Sequence, residues 1–356
     1  MERHLNTFSD LAVQKKLNRI RKSNPLFRIN ELVDWNAIQN ILSVVDFRNI
    51  SHYGRDCYSP LSMFKMLFLA AIYNFSDREL EEHLNFNNLF MWFCGFSIES
   101  DIPDHSTIAR WRERFEEADI YDKSFIEVNN QLMSKGLEIK NAMIVDASLI
   151  EAKSRPNRKV IITVEPTGDD VLIDDSVDDI NIEQTSSSVK IHLEESKDPQ
   201  ARWLKKGKKS HYGYKKHFTT NKEGFINGVI TTPANVSDTL VLPALINKVK
   251  PKKNTRIYGD KGYASQKNRD LLKQKQLKDG IMHKKQPKKE LDEKLKKINK
   301  LISKVRYVVE RTFGSIKQNL GGSRSKYIGL KKTHNFVMIR AIAYNLIRAT
   351  NYVFPL

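Results

Sequence analysis

Three acidic residues stand where the surrounding sequence gives a carboxylate no ordinary reason to be. Asp146 lies inside the apolar run Met143, Ile144, Val145, Leu149, Ile150. Such a run reads as a buried strand, and a carboxylate there needs hydrogen-bond donors or a cation. Asp260 falls in IYGDKGYA, residues 257–264, where an apolar approach stops between Gly259 and Gly262. Glycines keep side-chain bulk away, so a metal, a water or a sugar-phosphate backbone can come close; Asp-x-Gly is also ordinary turn chemistry. Glu310 falls on a helix whose apolar positions are Val305, Val309, Thr312 and Ile316. Arg306, Glu310, Gly314 and Lys317 make its other stripe and share one face. Gly314 leaves that face open beside the acid.

Acids from a strand, a strand end and a helix can converge at one sheet edge. Oxygen ligands of this kind suit Mg²⁺, with Mn²⁺ as the expected substitute. Two such ions about 4 Å apart stabilise both the attacking and the leaving oxygen of an in-line phosphoryl displacement.

The rest of the chain fits a polyanionic substrate. It has 356 residues, 40% of them hydrophobic, and a formal net charge of +18. That is enough apolar content for proper cores and enough positive charge to favour nucleic acid. The basic residues are clustered. Lys205, Lys206, Lys208 and Lys209 precede Lys215 and Lys216, with His211, Tyr212 and Tyr214 interleaved, and residues 284–300 are lysine-rich. These runs, with Lys261 beside Asp260, are phosphate-contact candidates, which position rather than specify. His211 and His217 read as structural or phosphate-facing. Cys57 and Cys94 have no ligand-like spacing and read as reduced structural residues. No secretory signal or membrane-length apolar run is evident, so a cytoplasmic protein is expected.

The elements that must position these residues divide the chain in two. Residues 1–125 read as helical. Ser76 and Glu79 form a capping-box pattern, and Pro103 to Thr107 opens a helix over Ile108 to Phe115 bearing Arg110, Arg112 and Arg114. Ser76 to Phe115 is either a helix-turn-helix variant that carries these arginines into a DNA groove or an ordinary bundle with a solvated basic helix. Residues 138–350 read as α/β: strand, insertion, two strands joined at Asn221 to Gly224, then helix, strand, helix, strand and helices. The insertion, 152–205, is acidic over 165–188 and is expected to be flexible there. Asp238, before the helix at Thr239, reads as its N-cap, with an auxiliary role beside the site as the alternative.

At this point the sequence resembles a family. Asp146 in VDAS, Asp260 in GDKGYA and Glu310 in RYVVERTFGSIK look like the three catalytic blocks of bacterial insertion-sequence DDE transposases. The Asp-x-Gly-Tyr turn of Asp260, Gly262 and Tyr263 resembles them, as does the spacing of Arg306, Glu310 and Lys317. So do the segments Asp198 to Trp203, Gly213 to Lys215 and Ala343 to Leu346, and the helical stretches at 76–80 and 103–107. One departure is Ser303, where some relatives carry a tyrosine three residues before the arginine.

The resemblance implies an RNase H-like mixed sheet flanked by helices, preceded by an all-α domain of helix-turn-helix type. It implies two Mg²⁺ ions held by Asp146, Asp260 and Glu310. Arg306 and Lys317 would neutralise or position phosphates, with Arg306 also orienting Glu310. The activity implied is cleavage at the element's ends and joining of the 3′-hydroxyl to target DNA, with a homodimer synapsing the ends. A DNA-binding regulator without chemistry, and a nuclease that cuts without joining, are the competing readings.

Overall fold

The computed structural model describes residues 8–21, 24–46, 57–137, 143–156, 160–163, 190–193, 196–285 and 290–353. The acidic stretch 165–188 lies outside the described residues. Among the described residues, eight α-helices come first: α1 (Phe8–Ile20), α2 (Pro25–Leu32), α3 (Trp35–Leu42), α4 (Pro60–Tyr73), α5 (Asp77–Phe86), α6 (Asn88–Cys94), α7 (His105–Glu117) and α8 (Ile120–Ser134). The α/β part follows: β1 (Met143–Glu151), β2 (Val160–Thr163), β3 (Lys190–Leu193), β4 (Arg202–Lys206), β5 (Lys209–Thr220), β6 (Ile226–Pro233), α9 (Asp238–Val249), β7 (Arg256–Gly259), α10 (Gln266–Gln274), β8 (Lys278–Ile281), α11 (Glu293–Asn319) and α12 (Leu330–Val353).

Local chemistry fixes many of the boundaries. The capping box forms as expected: Ser76 N–H donates to Glu79 and Glu79 N–H to the Ser76 hydroxyl. Asp104 accepts from Thr107 N–H at the start of α7. β4 and β5 are a hairpin whose turn contains Gly207 at φ +62°, a left-handed conformation that glycine adopts without steric cost. α9 does not take Asp238 as its cap: Ser237 is the N-cap and Asp238 the first helical residue.

The main sheet runs β4-β5-β1-β7-β8, with β6 also paired to β5. β5 is antiparallel to β1, β4 and β6, while β1–β7 and β7–β8 are parallel. Three antiparallel neighbours followed by parallel strands with helical crossovers is the expected RNase H-like mixed sheet. One face packs Met143, Val145, Ile257 and Ile281 against α9 and α10. The other packs Ile144, Ile150 and Phe218 against Val309, Phe313 and Ile316 of α11. That second core is continuous with the N-terminal helices, because α12 joins it from Phe336 to Ala349 and packs on α2, α4 and α8. α8 itself runs across position 125 to Ser134. Among the described residues, no helix is long and apolar enough to cross a membrane.

Candidate active site

β1 is the central strand, bonded to β5 on one side and β7 on the other. In the parallel pair Met143 aligns with Ile257 and Ile144 with Tyr258. Two residues further along, Asp146 on β1 corresponds to Asp260, the first residue past the end of β7. β1 continues past Asp146, whereas β7 stops at Gly259 and Asp260 leads into a tight turn. There the Asp260 Oδ1 accepts from Gly262 N–H at 2.8 Å. A Cβ on Gly262 would stand 2.8 Å from that same oxygen, so the glycine is a steric requirement of the turn.

Asp146 faces α11, since it alternates with Ile144 and Ile150 on that side of β1. Its Oδ1 accepts from Ala147 N–H at 2.9 Å. Its Oδ2 accepts from Arg306 Nη2 at 3.0 Å, and that nitrogen lies 3.4 Å from Glu310 Oε1. One guanidinium nitrogen thus bridges the strand acid and the helix acid. Burial, with the Asp260 charge adding to it, pushes the Asp146 carboxyl up to about 6 against the pull of Arg306 and the Ala147 N–H. Arg306 and Asp146 are largely enclosed, at 10% and 15% side-chain exposure, while Glu310 is open at 52%. The Arg306 Nε is buried with no partner. Gly314, one turn beyond Glu310, has nothing within 4 Å of its Cβ position.

The basic candidates fall into two groups. Lys205, Lys206, Lys208 and Lys209 are all exposed on the β4–β5 hairpin, as are Lys261 and Lys317. Partial burial and then the nearby Lys206 charge hold Lys317 below the usual lysine range, so hairpin and α11 present their cations together. Lys215 and Lys216 do not belong to this surface. β5 is covered on both faces, and Lys215 is buried against Val236 O (2.7 Å) and Asp238 (2.8 Å). Lys216 is buried against Gly322 O (2.8 Å), where burial, then Lys317 and Arg340, lower it to about 7. Neither is placed to contact a phosphate.

The α7 arginines also separate. Residues two apart on a helix point to opposite sides, so the three cannot share an outer face. Arg110 is exposed and bonded to Thr107. Arg112 turns inward to a two-pronged pair with Asp77 of α5 and lies over the Tyr327 ring. Arg114 is half-buried over Trp111. His217 is buried and bonded to Thr232 and Tyr263, and burial lowers it to about 4. The pairing of Lys215 with Asp238 is not legible in the sequence, where nothing links the two. Ser303 is exposed on α11.

With this geometry in view, similarity to known proteins is decisive. Residues 139–346 match the transposase DDE domain, a span that includes all three acids, and residues 14–114 match a second transposase domain, DUF772. The chain belongs to the DDE transposases of bacterial insertion sequences. It is 34% identical over 244 residues to the transposase for insertion sequence element IS1106 of Neisseria meningitidis serogroup B, covering 68% of this chain and 77% of that one. A solved structure, the Mos1 transposase paired-end complex with left transposon end, aligns over 78% of this chain and 85% of its own. Its identity is 11% and its TM-score 0.18, too low for a shared fold to be read from it. The chain is thus a transposase whose family cleaves DNA and transfers strands, and whose members generally use divalent metal ions.

The residues fit such an ion by donor chemistry. All three acids offer hard oxygen ligands, and Gly262 leaves beside Asp260 a space that any Cβ would fill. Among the described residues no three carboxylate, imidazole or thiol groups converge as a complete ligand set. Arg306 is the cation between Asp146 and Glu310.

Proposed function

We propose that this transposase binds the terminal repeats of its element, hydrolyses DNA at the ends and joins the freed 3′-hydroxyl to target DNA, using Asp146, Asp260 and Glu310. The observation that carries this reading is the position of Asp260 just past the end of β7, the strand beside Asp146 on β1, with Arg306 linking Asp146 to Glu310. Asp146, Asp260 and Glu310 would hold two Mg²⁺ ions, Asp146 serving both. When bound there, such ions would supply Lewis-acid stabilisation of the attacking and leaving oxygens.

The chain's own residues do the remaining work. Arg306 orients Glu310 and adds a positive charge beside the acids where a phosphate would lie. Gly314 keeps the α11 face clear so that a sugar-phosphate backbone reaches the acids. Lys317, Lys261 and the hairpin lysines 205, 206, 208 and 209 neutralise the flanking phosphates, and exposed Arg110 on α7 is a further phosphate contact. In the first reaction a water oxygen bonds to phosphorus and the 3′-oxygen leaves. In the second, that 3′-oxygen bonds to a target phosphorus and a target 3′-oxygen leaves. Two copies of the chain would hold the two ends, at the DNA in the cytoplasm.

The test is a product assay with the DNA flanking the gene as substrate, Mg²⁺, and a plasmid target. End cleavage with products covalently joined to the plasmid is expected. Cleavage with no joined product would favour a nuclease, and binding with no cleavage a regulator.

A further inference from the structure

The Asp260 turn has a neighbour that the three-acid site does not use. Asp238 opens α9, and its side chain does not fold back onto its own helix. Its Oδ1 accepts from Lys215 Nζ at 2.8 Å, and the same Nζ donates to Val236 O at 2.7 Å. The Lys215 side chain is only 11% exposed, so Asp238 is anchored from within the sheet. Its Oδ2 points the other way, over Gly262. A Cβ built on Gly262 would stand 3.1 Å from Asp238 Oδ2 and 2.8 Å from Asp260 Oδ1. The two carboxylates therefore face each other across one glycine.

Two further observations concern the tyrosine that follows this glycine. The buried Tyr263 hydroxyl is raised well above the usual phenol range by burial first, then by the charges of Asp238, Asp146 and Asp260. That hydroxyl is bonded to His217, the next residue but one to Lys215 along β5. Like charges this close destabilise each other unless a cation intervenes. Lys215 serves Asp238 on the sheet side. Among the described residues, no cation pairs with Asp260 on the other side.

We propose that Asp238 is a positioning residue of the transposase active site: held by Lys215, it fixes the Asp260 turn across Gly262 and adds the negative charge that draws a divalent cation to the Asp260 side. This rests on the reading of Asp146, Asp260 and Glu310 as the cation site. Lys215 holds the Asp238 carboxylate in place, so the fourth carboxylate acts through Asp260 and Gly262, not by touching DNA.

The experiment follows thermal unfolding of the full chain against Mn²⁺ concentration, with no DNA present. The variants are Asp260→Asn, Asp238→Asn and the double variant Asp238→Asn with Lys215→Met. Wild type is expected to be stabilised by Mn²⁺, and Asp260→Asn to lose that response. Asp238→Asn is expected to need roughly 10- to 100-fold more Mn²⁺ for the same stabilisation, the usual cost of losing a group that orients a ligand. The double variant removes both partners of the ion pair and leaves no buried lysine without its acid, so it stays folded even if the single one does not, and it is expected to show the same weakened response. An unchanged response in Asp238→Asn beside a lost one in Asp260→Asn overturns the role given to Asp238 alone. Recovery in the double variant also overturns it, because Asp238 would then only neutralise Lys215. A wild-type response in Asp260→Asn overturns the cation-site reading beneath it.

Discussion

Arg306 shows how much one side chain can settle. Its Nη2 reaches from α11 to Asp146 on β1 and to Glu310 four residues on. A lysine has a single point charge and lacks the planar fork, so Arg306→Lys is expected to lower strand cleavage by about 10-fold or more while DNA binding changes little, measured at matched DNA occupancy. Gly262 offers a second test at this scale. A methyl group there would sit 2.8 Å from Asp260 Oδ1, so the acid must move. A displacement near 1 Å at a reacting centre costs about 10²-fold in rate. Gly262→Ala is expected to lose that much cleavage with its melting temperature nearly unchanged. The three acids are legible in the sequence because each breaks a local rule: a charge inside an apolar run, an acid between glycines, an acid beside an open glycine on a polar stripe. Asp238 breaks none. It stands where helices ordinarily take an acid, and nothing in its neighbourhood names Lys215 or Gly262 as partners.

Among the elements, β7 has the bounds its sequence suggests, because a glycine and a turn-forming acid stop it. β5 begins at Lys209, well before the apolar residues that lead into the turn at Asn221. Its first part, Lys209 to Lys216, is so polar that it imitates a solvated basic segment, yet it is buried from Tyr212 onward, where β1 and β6 flank it. Buried Lys216 makes that cost measurable. Its folded value of about 7 lies below the ordinary 10.5, so the folded chain binds fewer protons than the unfolded chain between those values. Stability from this group is full above 10.5 and is lost as pH falls through 7. Lys216→Met is expected to raise the melting temperature at pH 7.5 by about 3 °C and to flatten the rise between pH 7 and 10.5, followed by calorimetry. α7 teaches the converse. Its arginines look like one exposed basic face, but Arg112 is drawn inward by Asp77. Asp77→Ala leaves that guanidinium half-enclosed without its acid and is expected to cost about 3 kcal/mol in denaturant unfolding.

For the whole molecule, one apolar core runs from the N-terminal helices through α12 to the sheet. The two regions that the sequence divides are therefore packed together, a fact that no local pattern carries, because α12 is apolar on most of its faces and gives no direction. Over this frame the net charge of +18 governs DNA affinity. Raising salt from 50 to 200 mM is expected to weaken binding by about 10³-fold. Replacing Lys205, Lys206, Lys208 and Lys209 with alanine should lower the salt slope by roughly one for each phosphate left unneutralised, whereas Lys215→Met should leave the slope unchanged, both read by titration of end DNA. The most direct test of the whole account is metal-specific cleavage by Asp260→Cys. A thiolate disfavours Mg²⁺ and accepts softer ions. End cleavage is expected to vanish in Mg²⁺ and return in part in Mn²⁺, at unchanged DNA binding. Cleavage equal to wild type in Mg²⁺ would contradict the placing of Asp260 at the catalytic cation.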